Sequence, residues 1–284
     1  MARLLQILFV CSVVMLPAGC DNAQKKSETE GIKIGDLAPT GKRVQPQVLR
    51  TIDIEIVTYE LPVGNIASME DIWRMLKPGT LRYDDLDGFA ANGLRAAMGN
   101  FAAFDRVTAM LKTANAKKLP TISLLMSGNQ PETVNIARMP HKTISYIAQR
   151  GVVKNADVGP GIAGLQILPR QIASNPIPPR TSKPPESYVE VQANRPQQLA
   201  SIQITPVILS STEGAAPALA EQIKENDLRI YSAVFSAKVN PGDFVLLSPR
   251  EYNPDETTAA GRFFTKSGLK PVITVYLLVC VSIF

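Results

Sequence analysis

The chain has 284 residues and a net charge of +5, and 45% of its residues are hydrophobic while 19% are charged, which excludes a chain that is disordered throughout. Its single histidine and three cysteines exclude a histidine-rich zinc site, a mechanism that needs two histidines and a network of disulfides. The positive charge is mild and forms no dense basic stripe, so we expect no nucleic-acid partner.

The N-terminus joins one positive charge to a short apolar run. Arg3 precedes residues 4–16, which are largely apolar. This length suits the core of a secretory signal and is shorter than the roughly 20 residues that a membrane-spanning helix needs. Ala18 and Gly19 then stand directly before Cys20.

Residues 16–20 resemble the lipobox of bacterial lipoproteins, in which the cysteine receives a diacylglycerol after a short signal. Pro17 departs from that pattern, because the family usually has a small or aliphatic residue there. The resemblance implies that residues 1–19 are a signal peptide that is removed and that Cys20 is the lipidation site. An ordinary secretory signal with an incidental cysteine is the alternative.

The segment after Cys20 is predicted to be a flexible tether. Residues 21–30 carry almost no apolar side chain, so they cannot bury enough surface to offset the entropy of ordering. We therefore expect residues 20–48 to connect the lipid to a folded body at 49–284. The lipoprotein resemblance implies a location in the bacterial cell envelope, on the periplasmic side of a membrane, and the choice between inner and outer membrane stays open.

The first part of the body is predicted to mix strands and helices. Residues 49–61 alternate isoleucine with acidic residues, which predicts a half-buried strand. Residues 68–79 predict a short helix with Ser68 as its cap and Trp73 beside its apolar face. A turn or short helix at 83–93, a strand at 94–98 and a helix at 101–114 capped by Asn100 follow. The apolar stripe of this last helix comprises Phe101, Phe104, Val107, Met110 and Leu111.

The remainder is predicted to be mostly β-structure, with strands at 121–126, 132–138, 143–149, 162–168, 199–209, 228–239, 243–248 and 272–284. Gly128-Asn129 suggests a hairpin, and Asn240-Pro241-Gly242 a turn between strands. Seven prolines between 169 and 196 predict an extended surface excursion, interrupted by a strand-like stretch at 187–193, and a short helix is expected at 217–225. The predicted fold class is therefore α+β and β-dominated. We expect a single domain with a mixed or antiparallel sheet and two or three short helices packed on it.

Three local patterns suggest chemistry, and each has a simpler interpretation. His141 is a lone histidine without a nucleophile motif. The acidic residues at 84–87 do not match the ligand spacing of a calcium loop and indicate a solvated turn. Residues 159–164 satisfy G-x-G-x-x-G, but no helix is predicted after them, so they indicate a loop between strands. Cys280 is predicted to be a buried hydrophobe. The sequence thus predicts no catalytic, metal-binding or cofactor-binding residue and no cofactor.

The order of elements resembles the core domain of the secretins, the ring-forming outer-membrane channels of type II and III secretion systems. The resemblance rests on the opening strand at 51–61, the helix, strand and turn at 104–136, the strand-turn-strand at 229–249 and the closing strand at 272–284. Leu247-Ser248 stands where the family usually has a Gly-Gly pair. The resemblance implies a non-enzymatic role.

We therefore expect a lipid-anchored envelope protein with a structural or binding role and a protein partner, with a secretion or outer-membrane assembly as one hypothesis for that partner. An exported hydrolase that uses carboxylates is the alternative. Its candidate acids are Asp53, Glu55, Asp84, Asp85 and Asp87. A third hypothesis is that the terminal strand inserts into the outer membrane together with other subunits.

Overall fold

The computed structural model describes residues 51–77, 80–174, 198–211 and 227–284. The strands in these ranges are β1 Thr51–Pro62, β2 Leu81–Tyr83, β3 Leu94–Gly99, β4 Lys117–Lys118, β5 Ile122–Ser127, β6 Glu132–Met139, β7 Lys142–Ile147, β8 Val153–Val158, β9 Gly161–Ser174, β10 Gln198–Ser210, β11 Leu228–Arg229, β12 Phe235–Val239, β13 Phe244–Pro249, β14 Thr265–Lys266 and β15 Val272–Ile283. The helices are α1 Met69–Met75, α2 Leu86–Ala91, α3 Phe101–Thr113 and α4 Ala259–Phe264. The predicted α+β, β-dominated class is confirmed, with four α-helices in the described ranges.

The strands form two large antiparallel sheets and a small ribbon. The central sheet has the order β3-β13-β15-β1-β4, with β5 also paired to β1 and β14 to β15. The outer sheet has the order β2-β12-β10-β9-β6, with β11 paired to β10. Strands β7 and β8 form the separate ribbon.

The alternation of β1 explains why the central sheet is covered on both faces. Ile52, Ile54 and Ile56 belong to the hydrophobic core that the central sheet shares with the outer sheet. Tyr59 and Leu61 point to the other face and belong to a second core, which contains residues of α1 and α3. The strand prediction is confirmed, but the second half of β1 is buried on both faces rather than on one.

Helices α1 and α3 cover the face of the central sheet that is not shared with the outer sheet. They follow the predicted spacing, with two local differences. Asn100 caps α3 as expected, because its side chain accepts a hydrogen bond from the amide of Ala103 at 3.1 Å. Phe101 was expected in the apolar stripe but is 70% exposed, because it is the first residue of the helix. Ser68 makes no capping bond, since a 3-10 turn at Val63–Ser68 leads directly into α1 and holds Ser68 in a helical conformation.

Strand β15 lies inside the central sheet, where β1 pairs with one of its edges and β13 and β14 with the other. Six of its residues in succession, Ile273–Leu278, are buried in the chain's own cores. This placement corrects the hypothesis of membrane insertion, since these side chains are already covered by protein. Cys280 is buried as predicted, and burial raises the pKa of its thiol to about 12.

Two predicted turns connect different sheets rather than neighbouring strands. The Gly128-Asn129 turn joins β5, which pairs with β1, to β6, which pairs with β9, so the predicted hairpin is wrong. The Asn240-Pro241-Gly242 turn is confirmed, and it leads from β12 in the outer sheet to β13 in the central sheet. The predicted strand at 228–239 is split into β11 and β12 by a 3-10 turn at Tyr231–Ala233.

Strands β9 and β10 form a long antiparallel hairpin. The last residue of β9, Ser174, pairs with the first residue of β10, Gln198. The predicted proline-rich excursion therefore begins later than Pro169, which lies within β9. Pro169 pairs with Ile202 and Gln171 with Ser201, so Arg170 is an additional residue that forms a β-bulge. Proline has no amide hydrogen to donate, which is why it is tolerated at such a bulge.

The glycines of the G-x-G-x-x-G pattern serve strand packing. Gly161 and Gly164 lie in β9, so the loop predicted at 159–164 is wrong from Gly161 onward, and the chain continues there as a strand and not as a helix. A Cβ atom on Gly161 would lie 2.1 Å from the carbonyl oxygen of Leu209, and one on Gly164 would lie 2.7 Å from that of Val134. The pattern thus allows neighbouring strands to approach β9 closely, and it forms no dinucleotide site.

Several predictions lie outside the described residues: the signal at 1–19, Cys20, the tether, most of the proline-rich excursion and the helix at 217–225. No helix within the described ranges has the length and apolar character to cross a membrane.

We predict that Gly161→Ala lowers the free energy of unfolding by about 1–3 kcal/mol, because a side chain at this position collides with the backbone of β10. Urea denaturation of the two proteins measures the difference. Gly159→Ala is the matched control, since nothing lies within 4 Å of a Cβ at Gly159. An equal effect of the two substitutions would contradict the packing role of Gly161.

Candidate functional site

The candidate site is an open cleft of about 730 Å³ beside the β3 edge of the central sheet. Helices α1 and α2, strand β3 and the chain just after β13 line it. The lining side chains combine aromatic, aliphatic and charged groups, and they are Glu70, Trp73, Tyr83, Leu86, Phe89, Leu94, Arg95, Arg250 and Glu251, with small residues between them.

A stacked cation forms one wall of the cleft. The guanidinium carbon of Arg95 lies 4.6 Å from the centre of the Trp73 ring, within the range of a cation–π contact. Glu70 accepts a hydrogen bond from Arg95 at 2.8 Å, and the two side chains remain 56% and 38% exposed respectively. Trp73 itself is only 6% exposed, so Arg95 forms the part of this wall that meets solvent.

An aromatic cluster supports the opposite wall. The ring centres of Tyr83 and Phe89 are 4.9 Å apart, and those of Phe89 and Phe235 are 5.4 Å apart. The Tyr83 hydroxyl donates a hydrogen bond to the carbonyl of Ala96 at 3.2 Å, and burial raises the pKa of this hydroxyl above its usual value. Tyr83 therefore stays protonated and joins β2 to β3.

Leu86 is the exposed apolar group of the cleft. It is the first residue of α2, and 59% of its surface is accessible although Phe89, one turn later, is buried. Arg250 and Glu251 lie at the rim and are both exposed. The cleft thus combines one large exposed apolar side chain with two arginines and two carboxylates, which is an arrangement for binding.

The position of α2 depends on its N-terminal cap. Asp85 accepts a hydrogen bond from the amide of Gly88 at 2.8 Å through Oδ1. Its Oδ2 atom is buried and has no hydrogen-bond partner within the described part of the chain. The cap satisfies one of the free amides that begin every helix, so Asp85 has a structural role here.

Asn92 holds the other end of α2. Its amide nitrogen donates to the carbonyls of Gly88 and Ile147, both at 2.8 Å, and its Oδ1 atom accepts from the amide of Ile147 at 2.9 Å. The same nitrogen lies 3.0 Å from the Ser232 hydroxyl, which in turn donates to Ile147. Asn92 is buried, so this network connects α2 to β7 and to the 3-10 turn before β12.

The acids proposed for a hydrolase fall into two groups at different places. Asp53 and Glu55 lie on β1, where Asp53 accepts a hydrogen bond from Ser123 at 3.0 Å. Asp84, Asp85 and Asp87 lie at the beginning of α2. Across the described ranges, no hydrogen bond joins the two groups and no cluster of three potential metal ligands occurs.

The remaining sequence candidates do not meet at the cleft. His141 is exposed in the turn between β6 and β7. Cys280 is buried in the core between the two sheets. Trp73, expected beside the apolar face of its helix, is buried in the second core and also forms a wall of the cleft.

Sequence reasoning missed Arg95, Glu70, Arg250 and Asn92 as site residues. Arg95 is 25 positions from Glu70, and Asn92 is 140 positions from Ser232. Asn92-Gly93 carried a turn signal, and the turn is present, but nothing in that dipeptide indicates a side chain that connects three elements.

A second cavity, of about 520 Å³, lies between β5, β6 and α4. Its charges are largely paired, since Glu256 lies 3.4 Å from Lys142 and 3.5 Å from Arg262, and Lys266 pairs with Glu60. Arg262 also donates to the carbonyl of Arg138 at 2.6 Å. These contacts fasten α4 to β6 and β7, which is a structural role.

Comparisons with known protein families, with curated proteins and with solved structures each give no significant match. The cleft is therefore interpreted from the chemistry of its own residues.

We predict that Arg95→Gln exposes the Trp73 ring, because the guanidinium that covers it is lost. Trp73 is the only tryptophan, so its fluorescence should move to longer wavelength and acrylamide should quench it more strongly. The free energy of unfolding should fall by about 1 kcal/mol or less, as expected for a partly exposed cation–π contact with a surface ion pair. Arg74→Gln is the control, since Arg74 adjoins Trp73 in α1 but pairs with Asp71. Identical spectra for both variants would exclude the stack.

Proposed function

We propose that this protein is a lipid-anchored, non-catalytic binding protein of the bacterial cell envelope. In this proposal Cys20 carries the lipid, residues 20–48 connect it to the folded body, and the cleft beside β3 receives a protein partner. The partner carries an apolar side chain next to an acidic group. A component of a secretion or outer-membrane assembly is the class of partner that the secretin resemblance favours.

The single observation that carries the binding proposal is the exposure of Leu86 inside a charged cleft. An isolated exposed leucine is ordinary on a protein surface. Leu86, however, lines the same cleft as the buried rings of Trp73 and Phe89 and as Arg250. Arg95 is already paired with Glu70, whereas Arg250 forms no ion pair within the described ranges, so its charge would meet an acidic group of the partner. Interfaces of proteins that bind partners commonly combine an apolar centre with a polar rim and use arginine and aromatic side chains.

The anchor is supported by sequence alone. A diacylated cysteine contributes about 0.8 kcal/mol for each methylene buried in the bilayer, so two or three acyl chains hold a protein firmly. The polar residues after Cys20 suit a tether because they favour water over a packed core.

We predict that the full chain, expressed in a bacterium with lipoprotein-processing enzymes, incorporates an alkyne-tagged fatty acid and sediments with the membranes. Cys20→Ser should abolish both the label and the sedimentation. Cys11→Ser is the matched control and should keep both, because that cysteine lies in the predicted signal. Retention of the label in Cys20→Ser would refute the anchor, as would an unmodified Cys20 in the intact mass of the mature protein.

We predict that a photoreactive benzoylphenylalanine placed at Leu86 forms a covalent adduct with one envelope protein in irradiated cells. The same group at Leu269, which is fully exposed outside the cleft, is the positional control and should give none. Arg250→Glu should reduce the yield about tenfold through charge repulsion with an acidic partner. Arg229→Glu reverses an exposed charge that does not line the cleft and should leave the yield unchanged. Equal adducts at Leu86 and Leu269, or none at Leu86, would refute the cleft as a binding site.

A further inference from the structure

Strand β5 forms an exposed edge of the central sheet. It pairs with β1 from the residue pair Thr51 and Ser127 to the residue pair Ile56 and Ile122. No other strand in the described ranges pairs with it. Edge strands offer unpaired backbone amides and carbonyls, and most proteins protect them with charges, prolines or a covering element.

The hydrogen-bonding alternation shows which groups of β5 face outward. Thr51 exchanges both backbone hydrogen bonds with Phe284, on the β15 side of β1, and the Thr58 carbonyl accepts from Leu119, on the β5 side. Even-numbered residues of β1 therefore bond to β5, through its residues 122, 124 and 126. It follows that the peptide groups of Ser123 and Leu125 point away from β1.

The side chains on this edge lack the usual protection. Leu125 is 67% exposed and Ile122 is 40% exposed. Residues 119–131 contain no charged side chain, and the two prolines of this range, Pro120 and Pro131, lie outside β5. The other end of the central sheet differs, because β3 exchanges backbone bonds with Lys77 through Met98 and its Ala96 carbonyl accepts from Tyr83.

We propose that β5 is a self-association surface, at which a second copy of this chain adds its own β5 in antiparallel orientation across a two-fold axis. The axis passes beside Leu125, so that Leu125 faces Leu125 of the partner subunit and Ser123 faces the partner's Ser127. The outward peptide groups of the two copies then bond to each other and join the two central sheets into one continuous sheet.

The distribution of charge favours a second copy as the occupant. The strand is neutral, and the exposed residues Lys117 and Lys118 precede it. Antiparallel pairing places the lysines of the two copies at opposite ends of the joined strands. Parallel pairing would place like charges together, and a strongly charged partner strand would gain nothing from the neutral centre.

The first test is a disulfide that forms across the axis. Residues directly opposite in a hydrogen-bonded pair have Cα atoms about 5.5 Å apart, which a disulfide can bridge. Leu125→Cys, in the full chain in detergent with Cys11→Ser and Cys20→Ser, should therefore form a covalent dimer on mild oxidation. Leu269→Cys in the same background is at a more exposed position and should stay monomeric. Removal of Cys20 makes the outcome independent of the proposed lipid anchor.

The second test removes one outward amide and keeps the backbone hydrogen bonds to β1. Because Ser123→Pro also removes the side-chain bond from Ser123 to Asp53, Ser123→Ala, which loses only that side-chain bond, is the control and should keep the dimer yield of the parent. Ser123→Pro deletes an N–H that points away from β1, a position at which proline is tolerated on an edge strand. It should lower the yield of the Leu125→Cys dimer about tenfold while circular dichroism and the melting temperature stay near those of the parent. The proposal is overturned if Leu125→Cys dimerises no more than Leu269→Cys, as it would if another segment of the same chain covered β5. It is also overturned if Ser123→Pro, with the parent's melting temperature, leaves the dimer yield unchanged.

Discussion

The central sheet must bury both of its faces, and the rest of the structure follows from that constraint. In β1, Ile54 and Ile56 enter the core shared with the outer sheet, while Tyr59 and Leu61 enter the core under α1 and α3. Each such side chain contributes roughly 1.5–3 kcal/mol when it is fully buried. A slip of one residue in the register of β1 would exchange the two sets and turn Asp53 and Glu55 into the core shared with the outer sheet, so the two layers determine the register together.

The cleft lies where α2 connects the outer sheet to the central sheet. Tyr83 in the outer sheet donates a hydrogen bond to Ala96 in the central sheet, and α2 occupies the connection between them. The helix has only six residues, too few for stability on its own, so its position depends on Asp85 at one end and on the buried Asn92 at the other. Leu86 is exposed because the cap and the network orient α2 with Phe89 inward.

Close backbone approach is a second organising feature, and it accounts for the glycines that suggested phosphate chemistry. The β9–β10 hairpin leaves no room for a Cβ at Gly161, and β6 leaves none at Gly164. Phosphate-binding glycines need a helix N-terminus after them, and β9 continues as a strand over fourteen residues. The same residue type thus serves strand packing here because of the element in which it lies.

The sequence by itself determined the class of the fold and most of its elements, because β1, α1, α3 and β10 carry periodic patterns that local physics can interpret. It also indicated that Cys280 and Trp73 are buried. Only the tertiary structure decided which strands pair, so the turn at Gly128-Asn129 joined two sheets where a hairpin was expected. It also brought Arg95 over Trp73 and Asn92 beside Ser232, since those contacts join residues far apart in the chain and leave no periodic signal. The exposure of Leu125 on β5 was also decided by the tertiary structure, because an apolar strand has the same local pattern at an edge as in the middle of a sheet.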